Sequence, residues 1–250
     1  MRTAVQLGFN GHGILERLPE TDLPGALRLV DAAGFDGVEV MSNVAGEPEA
    51  VKVFVERGTR VAALHLFLSD LDVPGAIARW SETMSAMRCD TLALSAFGMD
   101  QSVDGYRGLA KRLAEVQDDL LTRGQRLYFH CHSAELAVIG PDGRRGVHVM
   151  TEVVPDLRLV IDTHWTAVAG LDPARFIVEN AHRSGYYHLK DGDGSAGAVF
   201  GEGSVPLRSC LSAALTRRVD WVVLEQDRPA PDIAGAFRLF QHFVKDAKKE

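Results

Sequence analysis

Leu159-Val160-Ile161-Asp162-Thr163-His164 is a short apolar run that ends in side chains able to do chemistry. The arrangement recurs in Gly37-Val38-Glu39, Val61-Ala62-Ala63-Leu64-His65, Leu127-Tyr128-Phe129-His130-Cys131-His132, Tyr186-Tyr187-His188-Leu189-Lys190-Asp191 and Trp221-Val222-Val223-Leu224-Glu225-Gln226-Asp227. Apolar runs of this length read as buried parallel strands. Polar groups at the carboxyl ends of successive parallel strands meet at one face of a barrel, where barrel enzymes do their chemistry. The placement points to an enzyme and the residue types point to a metal.

Working outward from these runs, strand and helix signals alternate along the chain. Strands are expected at Thr3–Phe9, Phe35–Val40, Val61–Phe67, Thr91–Ser95, Arg126–Cys131, Leu157–Asp162, Tyr186–Leu189 and Val219–Glu225. Helices are expected at Leu23–Ala33, Glu47–Arg57, Pro74–Met87, Asp104–Thr122, Val147–Val154, from Asp172-Pro173, near Leu207–Thr216, and at Asp232–Lys248. Gly140-Pro141-Asp142-Gly143 is a turn signal within a hairpin excursion over Ala137–Gly146. Asp172 followed by Pro173 reads as an N-cap with proline at the first helical position. Eight strand–helix units in 250 residues match a (β/α)8 TIM barrel, an α/β fold. The main competitor, a doubly wound sheet, would want a glycine-rich phosphate turn after its first strand. Gly8-Phe9-Asn10-Gly11-His12-Gly13 does not keep that spacing. No linker or low-complexity stretch divides the chain, so residues 1–250 read as one domain.

Composition bounds the function. The formal net charge is −7, which disfavours a nucleic-acid partner. A mean hydropathy of −0.03 suits a soluble globular chain, and no apolar run approaches membrane-spanning length. The start, from Met1 to Gly8, lacks the apolar core of a signal peptide. Cys89, Cys131 and Cys210 have no metal-type spacing, which fits a reducing, cytoplasmic setting.

Strand phase tests whether the polar ends can converge. Tyr128, His130 and His132 share one face; so do Asp162 and His164, His188 and Lys190, and Glu225 and Asp227. Glu39 and His65 end the second and third runs. A strand-terminal His is often a hydrogen-bonded structural residue. An Asp in such a place can equally cap the next helix. Coincidence in four consecutive strands favours a metal, because a buried cluster of carboxylates and imidazoles is costly without a neutralising cation.

The residues resemble a known family. Tyr128-Phe129-His130-Cys131-His132-Ser133-Ala134-Glu135 is similar to the Y-x-H-N-H-x-x-E stretch of sugar phosphate isomerase/epimerase proteins, which belong to the xylose-isomerase-like barrel superfamily that includes endonuclease IV. Leu159–Trp165 resembles its L-D-x-x-W, His188-Leu189-Lys190-Asp191 its H-L-K-D, Gly201-Glu202-Gly203 its G-x-G loop, and Leu224-Glu225-Gln226-Asp227 its V-E-x-D. The resemblance implies one divalent metal (manganese, magnesium, zinc or cobalt) held by Asp162, His188 and Glu225. The fourth ligand is either His130, where many relatives carry Glu, or Glu135 folding back. Cys131 replaces the usual Asn and faces away by phase.

The implied reaction is proton abstraction beside the carbonyl of a ketose, keto-inositol or related carbohydrate through a metal-stabilised enediolate. Glu135 and Glu225 are candidates to move the proton. Glu135 has the alternative of a charged residue on a hairpin edge. Lys190 would hold an enediolate oxygen, or else pair with Glu225 or Asp227. Glu39, His65, His132 and Trp165 would bind substrate, Trp165 by stacking on a sugar face or else packing at the rim. Three rivals share parts of this reading: a dehydratase or lyase with the same metal site, an endonuclease IV-like phosphodiesterase, and a non-catalytic sugar-binding barrel. A homodimer is compatible with the resemblance.

Overall fold

A computed structural model describes residues 1–11, 13–216 and 219–249. His12, in the turn after the first strand, lies outside the described residues. The barrel strands are β1 (Arg2–Leu7), β2 (Gly37–Met41), β3 (Val61–Phe67), β4 (Thr91–Ser95), β5 (Arg126–His130), β6 (Leu159–Asp162), β7 (Tyr186–Leu189) and β8 (Trp221–Leu224). All neighbours pair in parallel, and β1 closes the barrel by pairing with both β2 and β8. The fold is the expected (β/α)8 barrel.

Val61–Phe67, Thr91–Ser95 and Tyr186–Leu189 form with the expected bounds, and the other five strands are shorter than their apolar runs suggest. β1 stops at Leu7 rather than Phe9, β2 starts at Gly37 rather than Phe35, and β8 covers Trp221–Leu224 rather than Val219–Glu225. Apolar residues beyond the ladder are buried by helices rather than by pairing: Phe35 packs its ring 5.1 Å from Phe237 and 5.2 Å from Phe240 in the last helix, Ile233–Ala247. Short helices follow several strands directly: Ser42–Ala45, Ser133–Leu136 and Thr163–Val168, with a 3₁₀ turn at Leu68–Leu71. They are too short to carry an apolar period. The loop after β7 folds a small hairpin, Gly192–Asp193 against Ala196–Gly197. The expected excursion near Gly140 survives as one antiparallel bridge, Val138 to Arg145.

Two apolar layers result. The larger lies between barrel and helices, and includes Leu7, Val40, Leu94, Phe129, Ile161 and Leu224. The smaller fills the barrel itself: alanines from β1, β3 and β4 face Tyr128, Val160, Tyr186, Trp221 and Val223. Small residues on one wall make room for rings from the other. A side chain of Val size or larger buried this fully contributes roughly 1.5–3 kcal/mol. Above this plug each strand's next inward position is polar, so the alternation that seals the barrel also sets the depth of the site.

Candidate active site and metal centre

Those positions are Gln6, Glu39, His65, Ser95, His130, Asp162, His188 and Glu225, one among the last three residues of each strand or just past its end. Among them His130, Asp162, His188 and Glu225 bring one donor atom each to within 4.8 Å of the others. His130 Nε2 lies 3.6 Å from Asp162 Oδ2 and 3.9 Å from Glu225 Oε2. His188 Nδ1 is hydrogen-bonded to Glu225 Oε2. Two facing atoms, His130 Nε2 and Asp162 Oδ2, are buried without a hydrogen-bond partner. Unsatisfied atoms of this kind are rare in folded proteins and costly. Two imidazoles and two carboxylates around that gap are a donor set suited to a divalent cation, and the residues present fit one.

Asp162 serves two ends. Its Oδ1 accepts from Trp165 N at 2.8 Å, capping the helix Thr163–Val168, which leaves Oδ2 turned inward. The cap and ligand readings of Asp162 are therefore compatible. Burial, then the Glu225 charge, pushes its carboxyl up to about 6. Burial would raise Glu225 too, but Lys190 and His188 outweigh it and hold that carboxyl well below the usual range. Burial and the neighbouring His188 keep His130 well below its ordinary value, hence neutral.

The two imidazoles are oriented from behind by one carboxylate. Glu39 is fully buried, and burial alone would raise it, but His188 and His65 hold it well below the usual range. Its Oε2 accepts from Tyr186 Oη at 2.6 Å and His188 Nε2 at 2.9 Å. Its Oε1 takes Gln6 Nε2 at 2.7 Å and His65 Nδ1 at 2.9 Å. With Glu39 ionised, His188 donates from Nε2, so Nδ1 is the ring atom that faces the centre. The same direction runs on through His65: its Nε2 accepts from Ser95 Oγ at 2.8 Å, and Ser95 Oγ accepts from His130 Nδ1 at 3.0 Å. That leaves the His130 Nε2 lone pair facing Asp162. Such outer hydrogen bonds fix ligand tautomers, and removing one typically weakens metal affinity about 10–100-fold. Ser95→Ala is accordingly expected to weaken divalent-metal binding by roughly tenfold or more, measured by competition with a chelating dye, with little change in unfolding midpoint.

Glu39, His65 and His188 also cluster within 4.8 Å. Every polar atom of this second trio already has a protein partner in the chain of bonds just described. The trio is thus explained as the hydrogen-bonded base of the centre.

Without a cation, His188 sits between Glu225 and Glu39. Burial opposes its charged form, yet the two carboxylates prevail and raise it to about 10. A cation at Nδ1 must displace that proton. Metal binding is therefore expected to tighten as pH rises from 6 to 9 and to release a proton, read by calorimetry in buffers of different ionisation enthalpy. In the metal-free protein this raised value contributes stability that is whole below pH about 6.5 and fades as pH climbs through about 10.

A cavity of about 260 Å³ opens above the cluster, lined by His65, His130, His132, Trp165, Lys190, Glu225 and Asp227, with Phe67 and Phe97 on one wall. Lys190 Nζ reaches Glu225 Oε1 at 2.8 Å and Asp227 Oδ1 at 2.7 Å, and lies 5.0 Å over the Trp165 ring. His132 Nδ1 and Trp165 Nε1 are buried without partners. Burial and the adjacent His130 lower His132 to about 3, so it is neutral. A larger groove of about 960 Å³ between the helices Pro48–Arg57 and Ala76–Ala86 shares Asn43 with this cavity and is lined by none of the four clustered residues.

Two expected positions fall elsewhere. Glu39 lies under the cavity, its oxygens fully engaged, rather than facing substrate. Glu135 neither joins the cluster nor lines the cavity. Its Oε2 accepts from His132 N at 2.7 Å and caps Ser133–Leu136, and burial pushes it up to about 7. The strand-five member of the cluster is His130. Sequence reasoning did not single out Gln6, Ser95 or Tyr186. Their inward phase was the available signal, since Ser95 follows Ala93 and Gln6 follows Ala4 by two.

The family model described as xylose isomerase-like TIM barrel matches residues 27–243. No curated protein sequence matches the chain. Among solved structures, a sugar phosphate isomerase/epimerase from Parabacteroides distasonis ATCC 8503 is similar with a TM-score of 0.78 and 16% identity, covering 98% of each chain. The IolI protein with a bound zinc atom is similar with a TM-score of 0.73 and 15% identity, over 99% of this chain and 98% of that one. The probable 3-DHS dehydratase AsbF from Bacillus anthracis gives 0.74 and 11%, over 98% of this chain and 99% of that one. At these identities the likeness is one of fold.

Proposed function

The chain belongs to the xylose isomerase-like TIM barrel family, and we propose that it is a divalent-metal-dependent isomerase or epimerase that moves a proton beside the carbonyl of a ketose, keto-inositol or related carbohydrate. The observation that carries the reading is the pair of unpartnered buried atoms, His130 Nε2 and Asp162 Oδ2, aimed at His188 and Glu225 under an open cavity. A divalent cation held by these four residues would polarise the carbonyl and neighbouring hydroxyl, lowering the cost of the developing negative charge. The mixed imidazole–carboxylate set favours manganese, cobalt or zinc over magnesium.

The remaining roles belong to the chain's own groups. Glu225 faces the cavity and is ionised, so of the two glutamates it is the one able to take the proton from carbon and return it. Lys190, kept protonated by Glu225 and Asp227, presents a cation to an oxygen gaining charge. His132 offers an unpartnered ring nitrogen to a substrate hydroxyl, and Trp165 gives the sugar a flat wall. The half-exposed Asp227 is a second acid–base group on the cavity wall, which favours as runner-up a dehydratase that protonates a departing hydroxyl after the same first step. No helix among the described residues is long and apolar enough to cross a membrane. The three free, buried cysteines suit a reducing cytoplasm.

The test is hydrogen exchange in heavy water. Protein reloaded with manganese or cobalt is expected to wash deuterium into the carbon next to the carbonyl of a ketose, followed by proton NMR. Chelator-treated protein is expected to lose at least about 100-fold of that rate, as removal of a catalytic ion removes its charge stabilisation. Exchange that is indifferent to metal, or absent from every ketose and keto-inositol tried, would sink the reading. An unsaturated product would mark the dehydratase.

A further inference from the structure

We propose that the amino-terminal end of the barrel is a second binding site, which takes a compact, multiply charged oxyanion of the phosphate or polycarboxylate kind. A cavity of about 310 Å³ opens there, and it shares no residue with the cavity above the four clustered side chains. Its floor is the underside of the barrel plug, formed by Ala62, Tyr128, Tyr186 and Trp221. Its rim carries Arg2, Arg60, Arg88 and Arg126 against two carboxylates, Asp90 and Asp220. The chain as a whole has a net charge of −7, so an arginine-rich mouth runs against its composition.

The barrel ladder fixes where these arginines stand. Arg2 and Arg126 open β1 and β5, Arg60 immediately precedes β3, and Arg88 lies three residues before β4. Backbone bonds hold three of them in register: Arg2 N to Asp220 O at 3.0 Å, Val38 N to Arg60 O at 3.0 Å, and Arg126 N to Asp90 O at 2.9 Å. A fifth arginine, Arg158 just before β6, donates from Nη1 to Tyr128 Oη on the floor at 3.2 Å.

Much of this charge is uncommitted. Arg126 pairs with Asp90 at 2.5 Å. The Arg2 guanidinium lies 4.3 Å over the Trp221 ring, a stacking that leaves its in-plane N–H groups free to donate. Arg60 and Arg88 are exposed and have no carboxylate partner among the described residues. Arg88 also has φ of +54°, a left-handed conformation, just after the helix Ala76–Ala86. Glycine is the usual residue in that place, and Gly58 and Gly124 fill it after the helices Pro48–Arg57 and Val103–Thr122. A strained position that keeps a long cationic side chain is accounted for by a task for the guanidinium at the mouth.

The chemistry of the rim selects the ligand. Guanidinium forks take phosphate and carboxylate oxygens two at a time, so several forks around one mouth call for more than one negative charge. The cavity stands at the small end of the range for ligand pockets, which suits a compact ion.

The test uses the chelator-treated full chain, with inorganic pyrophosphate and citrate as separate probes followed by calorimetry. At least one of them is expected to bind at a single site per chain, more weakly as sodium chloride is raised. The tighter of the two tells phosphate from polycarboxylate as the source. The paired substitution Arg60→Ala and Arg88→Ala is expected to weaken that binding at least about tenfold, through loss of charge-assisted hydrogen bonds. The unfolding midpoint of the ligand-free chain should not fall, since neither side chain holds a partner in the fold. Should the pair fail to fold, Arg60→Ala alone gives the same readout. Binding of neither probe at millimolar concentration would overturn the proposal, as would binding that the substitutions leave unchanged. So would an equal response to acetate at matched ionic strength. None of these outcomes touches the isomerase reading, which concerns the other end of the barrel.

Discussion

Asp162→Asn is expected to abolish divalent-metal binding and turnover while making the metal-free protein more stable. The substitution keeps the shape of the side chain and the Oδ1 cap on Trp165 N. It removes a carboxylate whose Oδ2 is buried without a partner and whose pKa is pushed up to about 6 by burial and by Glu225. A carboxyl titrating near 6 in the fold and near 3.9 in the unfolded chain costs stability once ionised. The cost appears between pH about 4 and 6, is complete above 6, and amounts to roughly 2–3 kcal/mol.

The amide carries no such cost, and its N–H can point at the His130 Nε2 lone pair 3.6 Å away. Urea unfolding of chelator-treated proteins should therefore favour the Asp162→Asn variant at pH 7, with the difference vanishing near pH 4. Direct titration should show metal affinity reduced by at least about 100-fold, beyond what loss of an outer-shell partner causes. A variant that bound metal as well as the native chain, or that was less stable without it, would contradict the assignment of Asp162.

Glu39→Gln should fail in the opposite way, losing both stability and metal. Glu39 neutralises His188 and anchors His65 from a position with no contact to water. A glutamine presents a donor where at least one of four donors now points, and leaves the buried His188 with Glu225 as its remaining counter-charge. Breaking one side of a buried ion pair typically costs about 3–5 kcal/mol. The His188 tautomer is no longer dictated, so metal affinity should fall by roughly 10–100-fold on top of the stability loss. Measured together, unfolding midpoint and metal affinity separate the two roles. Ser95→Ala touches only the link to His130 and should move the second quantity alone. An unchanged unfolding midpoint in Glu39→Gln would remove Glu39 from the base of the site.

Much of this was legible because strand phase is strict. The inward set Tyr128–His130, Val160–Asp162 and Tyr186–His188 follows from alternation alone once the runs are read as barrel strands. What the sequence hid was depth. Glu39 and Glu225 look alike as acidic ends of apolar runs, yet one lies beneath the cavity and the other in its wall. The difference arises from the stagger of strands around a tilted barrel, which no single run encodes.

Glu135 stands apart from the cluster for a local reason: three residues after His132 it satisfies the geometry of a helix cap, and that short-range bond decides where it points. Ser95 escaped notice because serine after an apolar run is common. Only its place between His65 and His130 gives it a task.

The four clustered side chains come from β5 to β8, whereas the carboxylate that orients them through His188 comes from β2. That division has a consequence for biosynthesis. A ribosome delivers Glu39 early and Glu225 near the end, and the pairing of β1 with β8 that brings the two halves together must wait for the last strand. A nascent chain therefore passes most of its synthesis with no competent place for an ion. Any divalent ion that these four residues hold would therefore be taken up by the finished barrel rather than by the growing chain.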